Sequence, residues 1–280
     1  MKDLLEDAAS RLTAAGVDSP EADAQWLAAE LLGVRPIQLR QVESVPSEFF
    51  KKFEQWVSRR EAREPLQHIV GSAPFGPLEL AVGPGVFIPR PETESLADWA
   101  VGRIALADEP LVVDLGTGSG ALALYIAHAR PDARVYAVEK STQACDYAQR
   151  NADSIGVDIT LVEGDMTDPD LLAELHGTVD LVVTNPPYVP ESESLQREVY
   201  ADPPEAVFAG FDGMSVIRDL VPVAGFLLAP GGGLGIEHDD ATSAEVQEAV
   251  VKHGGFEAPE SMTDLSGRDR FVITSKLAQE

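Results

Sequence analysis

The chain has 280 residues, of which 44% are hydrophobic and 24% charged, with a formal net charge of −26. That length fits one large α/β domain beside a smaller one, and the apolar content excludes global disorder. No run of about 18 apolar residues occurs, Met1–Asp7 mixes acids into its apolar residues unlike a secretory leader, and Cys145 is the single cysteine, so a soluble cytoplasmic protein without membrane contact or disulfide is expected.

The charge is unevenly divided. Residues 1–90 hold 10 Lys and Arg against 13 Asp and Glu, whereas residues 91–280 hold 11 against 34. A surface of that sign over the larger part repels a phosphate backbone, so stable nucleic-acid binding is not expected.

In chain order, Asp3–Ala15 has helical spacing and stops at Gly16. Ser19-Pro20-Glu21 is a helix start, and the helix carries Ala24, Leu27, Ala28, Leu31 and Leu32 before Gly33. A third helix, Ser47 to Arg63, has an apolar stripe of Phe49, Phe50, Phe53, Trp56 and Val57, read as core. Its cations Lys51, Lys52, Arg59, Arg60 and Arg63 form either a solvated face or a contact for an acidic partner. Residues 64–90 contain five prolines and four glycines, with apolar runs at Gln67–Val70 and Leu78–Val82. They predict a connection that includes a β-hairpin. The expected division is 1–73, 74–91 and 92–280.

Beyond residue 92 the pattern becomes a helix and then alternating strands and helices. Strands are predicted near 111–115, 134–139, 159–163, 180–184, 232–238 and 270–274, with a further short run near 256–262. Alternation of this kind implies an α/β fold, a mostly parallel sheet with helices on both faces. Such sheets bind ligands beyond the carboxyl ends of their strands.

Two segments sit at such ends. Leu111–Leu115 runs into Gly116-Thr117-Gly118-Ser119-Gly120 and then a helix, a turn that lets backbone approach a ligand closely. It fits a dinucleotide fingerprint, so alone it does not choose between a nicotinamide and a methyl-donor cofactor. Glu139, ending the next strand, is placed to accept from a ribose, and Asp165-Met166 to meet an adenine edge and face. The second segment is Asn185-Pro186-Pro187-Tyr188. The prolines fix the backbone and supply no N–H, so it presents acceptors beside a flat ring, suited to a planar NH2 group. Arg90 stands between two prolines. From the residues alone it just precedes a helix capped by Thr93, with Glu92 and Glu94 in the first turn. Glu237-His238 and Asp202–Ala206 are read as supports for the rim. No pair among His68, His128, His176, His238 and His253 has metal-ligand spacing, so no metal is expected.

Together with Phe87-Ile88-Pro89-Arg90-Pro91-Glu92-Thr93-Glu94 and Gly210-Phe211-Asp212-Gly213, these segments resemble the protein-(glutamine-N5) methyltransferases that modify peptide chain release factors, within the class I methyltransferases. The resemblance implies a Rossmann-like domain at 92–280 and a helical substrate-recognition domain at 1–73. It implies S-adenosylmethionine held by Gly116–Gly120, Glu139, Asp165, Met166 and Asn185. Asn185, Pro186 and Tyr188 would be catalytic, with Pro187 and Arg90 joining them in binding the substrate. The partner would be a class I release factor, methylated at the glutamine of a Gly-Gly-Gln motif by a monomeric enzyme. The alternative is a nucleic-acid amino methyltransferase, which also uses Asn-Pro-Pro-aromatic. Glu139 stands where the family often has Asp, and Met166 where it often has an aromatic residue.

Overall fold

The computed structural model describes residues 1–191 and 195–278. They divide into two compact units, Met1–Ser72 with Leu195–Ala201 and the remainder.

The first unit contains α1 (Lys2–Ala14), α2 (Pro20–Leu32), α3 (Ser47–Glu61) and α4 (Leu66–Val70). Gly33, in the left-handed region at φ 63°, closes α2. Leu12, Leu27, Phe49, Phe53 and Val57 are buried together, and the Phe49 and Phe53 rings stack with centroids 5.5 Å apart. Each such side chain contributes about 2 kcal/mol of apolar burial. Phe50, read as core, is instead 53% exposed. One residue along a helix turns about 100°, which carries it off the face that Phe49 buries.

The basic cluster is not the open patch that one reading of the sequence made it. Arg60 is buried and donates to Asp23 at 2.7 Å and to Glu198 at 2.8 Å. Arg63 donates to both Glu198 oxygens, at 2.6 and 2.7 Å, and Arg59 pairs with Glu64 at 2.5 Å. Three of the five cations are thus satisfied within the unit, leaving Lys51 and Lys52 exposed. Glu198 explains why Leu195–Ala201 groups with this unit. Its carboxyl is held down at about 2 because Arg63 and Arg60 outweigh its burial.

A two-stranded sheet follows, β1 (Ser72–Phe75), which the second unit takes up from Ala73, and β2 (Leu78–Ala81). Gln67–Val70, expected as an apolar run of that connection, is helical in α4. Then follow α5 (Glu94–Arg103), β3 (Leu111–Leu115), α6 (Ala121–Ala129), β4 (Arg134–Glu139), α7 (Thr142–Ile155), β5 (Thr160–Glu163) and β6 (Val179–Thr184). The chain ends with α8 (Pro204–Val207), α9 (Ser215–Leu227), β7 (Leu228–Glu237), α10 (Ser243–His253), β8 (Glu260–Thr263) and β9 (Asp269–Ser275). The seven strands from β3 to β9 form one sheet in the order β5-β4-β3-β6-β7-β9-β8, in which β9 alone runs against the others.

All five residues of β3 are buried, as a central parallel strand requires. Its alternate side chains feed two cores. Leu111, Val113 and Leu115 pack with α9 and α10, while Val112 packs with α5 and α6. With β4 on one side of β3 and β6 on the other, the strand order reverses there, and the ends of β3 and β6 flank the crevice. No helix among the described residues is long and apolar enough to cross a membrane.

Candidate active site

Leu115 and Thr184 are register partners in β3 and β6, and Thr184 Oγ1 donates to the Leu115 carbonyl at 2.6 Å. The residues immediately after them are Gly116 and Asn185. The glycine loop and the Asn-Pro-Pro-Tyr segment therefore leave neighbouring strands at one level. Both line a cavity of about 540 Å³.

The loop side is held from below. Gly116 N and Thr117 N both donate to the Val138 carbonyl, and Gly118 N donates to Glu139 Oε2 at 2.9 Å. Glu139 Oε1 accepts from Ser141 N at 2.8 Å. The Glu139 carboxylate is thus aimed across the loop, with lone pairs remaining for ligand hydroxyls. Gly116 lies in the left-handed region at φ 76°, which strains any side chain there, and a Cβ would also push aside Met166 Cε, 2.5 Å away. A Cβ at Gly118 would meet no protein atom within 4 Å, since it would point into open space that a ligand can fill. Met166 and Asp165 line the cavity. Asp165 accepts from Lys140 Nζ at 2.8 Å and from Thr167, which lower its pKa to about 2 and keep it an acceptor.

Asp114 was not among the expected site residues. Its Oδ2 accepts from Thr117 Oγ1 at 2.6 Å and Ala123 N at 3.2 Å, while its Oδ1, buried beside the cavity, has no partner among the described residues. Burial pushes this carboxyl up to about 7, against the two hydrogen bonds. An unpaired buried carboxylate oxygen at a cavity wall calls for a cationic or N–H partner. The one charged side chain in a wholly apolar strand was the signal available in the sequence. Asn151 was also missed. It donates to Ser119 O and Ala81 O and accepts from Ala81 N, tying the loop to β2.

On the acceptor side, Asn185 and Pro187 line the cavity, whereas Pro186 and Tyr188 do not. Asn185 Nδ2 donates to Thr93 Oγ1 at 3.2 Å, leaving Oδ1 for a ligand. Thr93 sits at the N-cap of α5 but makes no side-chain cap bond; its hydroxyl is committed to Asn185. Tyr188 turns its hydroxyl to Glu237 Oε1 at 3.3 Å. Glu237 is buried at the end of β7 and raised to about 7 by that burial.

Arg90 is likewise outside the lining. Its guanidinium lies 4.9 Å from the centroid of the Phe87 ring and donates to buried Asp202 at 2.5 Å. Asp202 also accepts from Ile88 N at 3.1 Å. Residues on both sides of this pair, Phe87 and Pro89 on one segment and Pro203 and Glu205 on the other, form cavity wall. Arg90 thereby staples two parts of the rim. Gly120 lies below the loop, against Leu124 at the start of α6. Cys145 is buried and its thiol pushed up to about 11, chiefly by desolvation, so it is no nucleophile.

The sheet order, the glycine loop at the strand switch and the acceptor-bearing segment beside it define a Rossmann-like methyltransferase. A methyltransferase from Pyrococcus furiosus shares the fold, with a TM-score of 0.53 at 19% identity over 79% of this chain and 99% of that one. The chain matches the PrmC N-terminal domain over residues 3–71 and the methyltransferase small domain over residues 101–205. It is 56% identical to a release factor glutamine methyltransferase of Corynebacterium glutamicum over 98% of each chain. A protein of the same description from Mycolicibacterium smegmatis is 50% identical over 100% of this chain and 99% of its own. Within the methyltransferases, the chain belongs to the release factor glutamine methyltransferase family.

Proposed function

We propose that this chain transfers a methyl group from S-adenosylmethionine to the side-chain amide nitrogen of a glutamine in a class I peptide chain release factor. The observation that carries the reading is the shared level of Gly116 and Asn185 at the ends of paired strands, facing one cavity. The family's substrate, as its members are named, fits the acceptor side of that cavity.

The donor side fits the cofactor on three counts. Glu139 offers acceptors for ribose hydroxyls, the open space at Gly118 admits close approach, and the unpartnered Asp114 Oδ1 suits an ammonium group. When bound, the cofactor supplies an electrophilic methyl on a sulfonium.

Asn185 and Pro186 do the work on the acceptor. A glutamine amide nitrogen is a weak nucleophile because its lone pair is delocalised into the carbonyl. Asn185 Oδ1 accepts one amide hydrogen and the Pro186 carbonyl the other, which orients the nitrogen and opposes its planar resonance. Acceptors around a nitrogen that gains positive charge stabilise the transition state more than the ground state. Positioning of this kind supplies several kcal/mol. The alkylated nitrogen is strongly acidic, so its proton passes to solvent without a dedicated base. Residues 1–73 are assigned to recognition of the release factor, and Arg90 to holding the rim against it. The excess of acids beyond residue 90 disfavours a nucleic-acid acceptor.

The test is transfer of labelled methyl from S-adenosylmethionine to purified release factor, with duplex DNA and ribosomal RNA as parallel acceptors. Label is expected on the release factor glutamine alone. Label on a nucleic acid with none on the release factor would reverse the assignment.

A further inference from the structure

The chain that follows the acceptor segment makes an excursion that the cavity alone does not require. Val189 N donates to the Val207 carbonyl, Ala209 N to the Val189 carbonyl and Glu191 N to the Gly210 carbonyl. These bonds close the base of a loop that leaves just after Tyr188 and returns through Asp202–Ala206. Both limbs of the loop reach the cavity, with Asn185 and Pro187 on the outgoing one and Pro203, Glu205 and Ala206 on the returning one. Gly213, at φ 71°, packs against the base: a Cβ there would lie 2.3 Å from the Tyr188 carbonyl oxygen, a backbone atom.

Between the limbs, Leu195–Ala201 groups with the helical unit, whereas Glu191 and Asp202 belong to the other. Most of this segment is a 3-10 turn, Arg197–Ala201, which carries Glu198 and ends at the residue before Asp202. Glu198 accepts from Arg63 at 2.6 and 2.7 Å and from Arg60 at 2.8 Å. Asp202 accepts from Ile88 N and from Arg90, next to the cavity wall. The turn is thus pinned by a carboxylate near its start and by another just past its end.

Two observations set Glu198 apart from an ordinary ion-pair partner. The arginines do not depend on it, since Arg60 also donates to Asp23 and the Glu64 carbonyl, and Arg63 to the carbonyls of Ala15 and Gly16. Moreover, Arg63 follows α3 in the left-handed region at φ 67°, where glycine closes α2, α4, α7 and α10. A side chain is disfavoured there, and the one present supplies the bidentate bond to Glu198.

We infer that Glu198 is a positioning residue for methyl transfer: through Arg60 and Arg63 it anchors the far end of this loop and so fixes the cavity wall around the acceptor amide. This rests on Asn185–Pro187 being the acceptor grip of the proposed reaction. Glu198 lines no part of the cavity and acts through the two limbs.

Glu198→Gln in the full-length protein removes the charge that holds the turn. By hydrogen–deuterium exchange, the amides of 189–191 and 207–210 should exchange at least about fivefold faster, with those of α1, α2 and α3 unchanged. At saturating release factor, kcat should fall about tenfold, with KM for the factor and S-adenosylmethionine affinity within about threefold of wild type. Arg63→Gln should lower kcat in the same way, and the double variant should be no worse than Glu198→Gln, because both changes break one link. Unchanged exchange at the base of the loop would overturn the inference, as would wild-type kcat with a raised KM, which would make Glu198 a docking contact. Faster exchange in α1, α2 and α3 would also overturn it, making Glu198 a support of the helical unit. If the wild type transfers no label to the release factor, the functional reading beneath fails, while the exchange pattern still decides the anchoring.

Discussion

Asp114 should make S-adenosylmethionine binding depend on pH, in a direction the structure fixes. Its carboxyl is pushed from 3.8 to about 7, first by burial and secondarily by Glu139, against hydrogen bonds from Thr117 and Ala123. A rise of that size corresponds to about 4 kcal/mol against keeping Asp114 ionised in the ligand-free protein. The folded state thus binds more protons than the unfolded one between those values, and stability from this group falls as pH rises from about 4 to 7. An ammonium group at the unpartnered Oδ1 reverses the preference. At pH 6 roughly nine in ten ligand-free molecules carry the proton, so binding must expel it. Affinity should rise by up to about tenfold per pH unit below 7 and level off above it. Calorimetry in two buffers of different ionisation enthalpy reads this directly, as nearly one proton released at pH 6 and almost none at pH 8. Asp114→Asn should abolish the release and weaken binding at pH 8. The same variant should gain thermal stability at pH 8, having lost a buried charge. Equal proton release in wild type and variant would refute the argument. Glu237 is shifted the same way, so the variant is needed to separate the two.

Asn185→Ala should abolish methyl transfer in single-turnover assays while calorimetry shows cofactor affinity within a fewfold of wild type; near-normal turnover would make the segment only a turn. Gly118→Val should weaken cofactor binding at least tenfold, because its side chain projects into open cavity and not into protein. Its backbone, at φ 57°, should cost only about 1–2 kcal/mol of stability, so loss of folding would contradict the explanation. Arg60→Ala leaves Asp23 and Glu198 without their buried partner and should cost about 3–5 kcal/mol by denaturant unfolding. Arg59→Ala removes a half-exposed pair and should cost under about 1 kcal/mol; similar losses in the two variants would contradict the burial argument.

The strand-helix alternation was legible because it is written in runs of neighbouring residues, and so was the glycine loop, whose turn is local. The same locality explains the failures. Gln67–Val70, expected as an apolar run of the connection, lies in the five-residue helix Leu66–Val70 that a left-handed Gly71 closes. The arginines at the end of α3 and just beyond it read as a patch because Glu198, which pairs with Arg60 and Arg63, lies 138 positions from Arg60. Thr93 read as a helix cap for the same reason: capping is a local role, and its actual partner Asn185 is 92 positions away. Asp114 lies inside the predicted strand 111–115, and its unpartnered oxygen becomes meaningful only when burial on all sides is known. Arg60, Arg63 and Thr93 each exchanged a short-range use for a long-range partner. At Thr93 the unmade cap bond is at the site itself, and at Asp114 one oxygen there has no partner among the described residues. A cap bond at Thr93 would engage the hydroxyl that holds Asn185, and a partner on Asp114 Oδ1 would occupy the oxygen left for the cofactor. The unsatisfied local roles are therefore where this fold keeps its chemistry available.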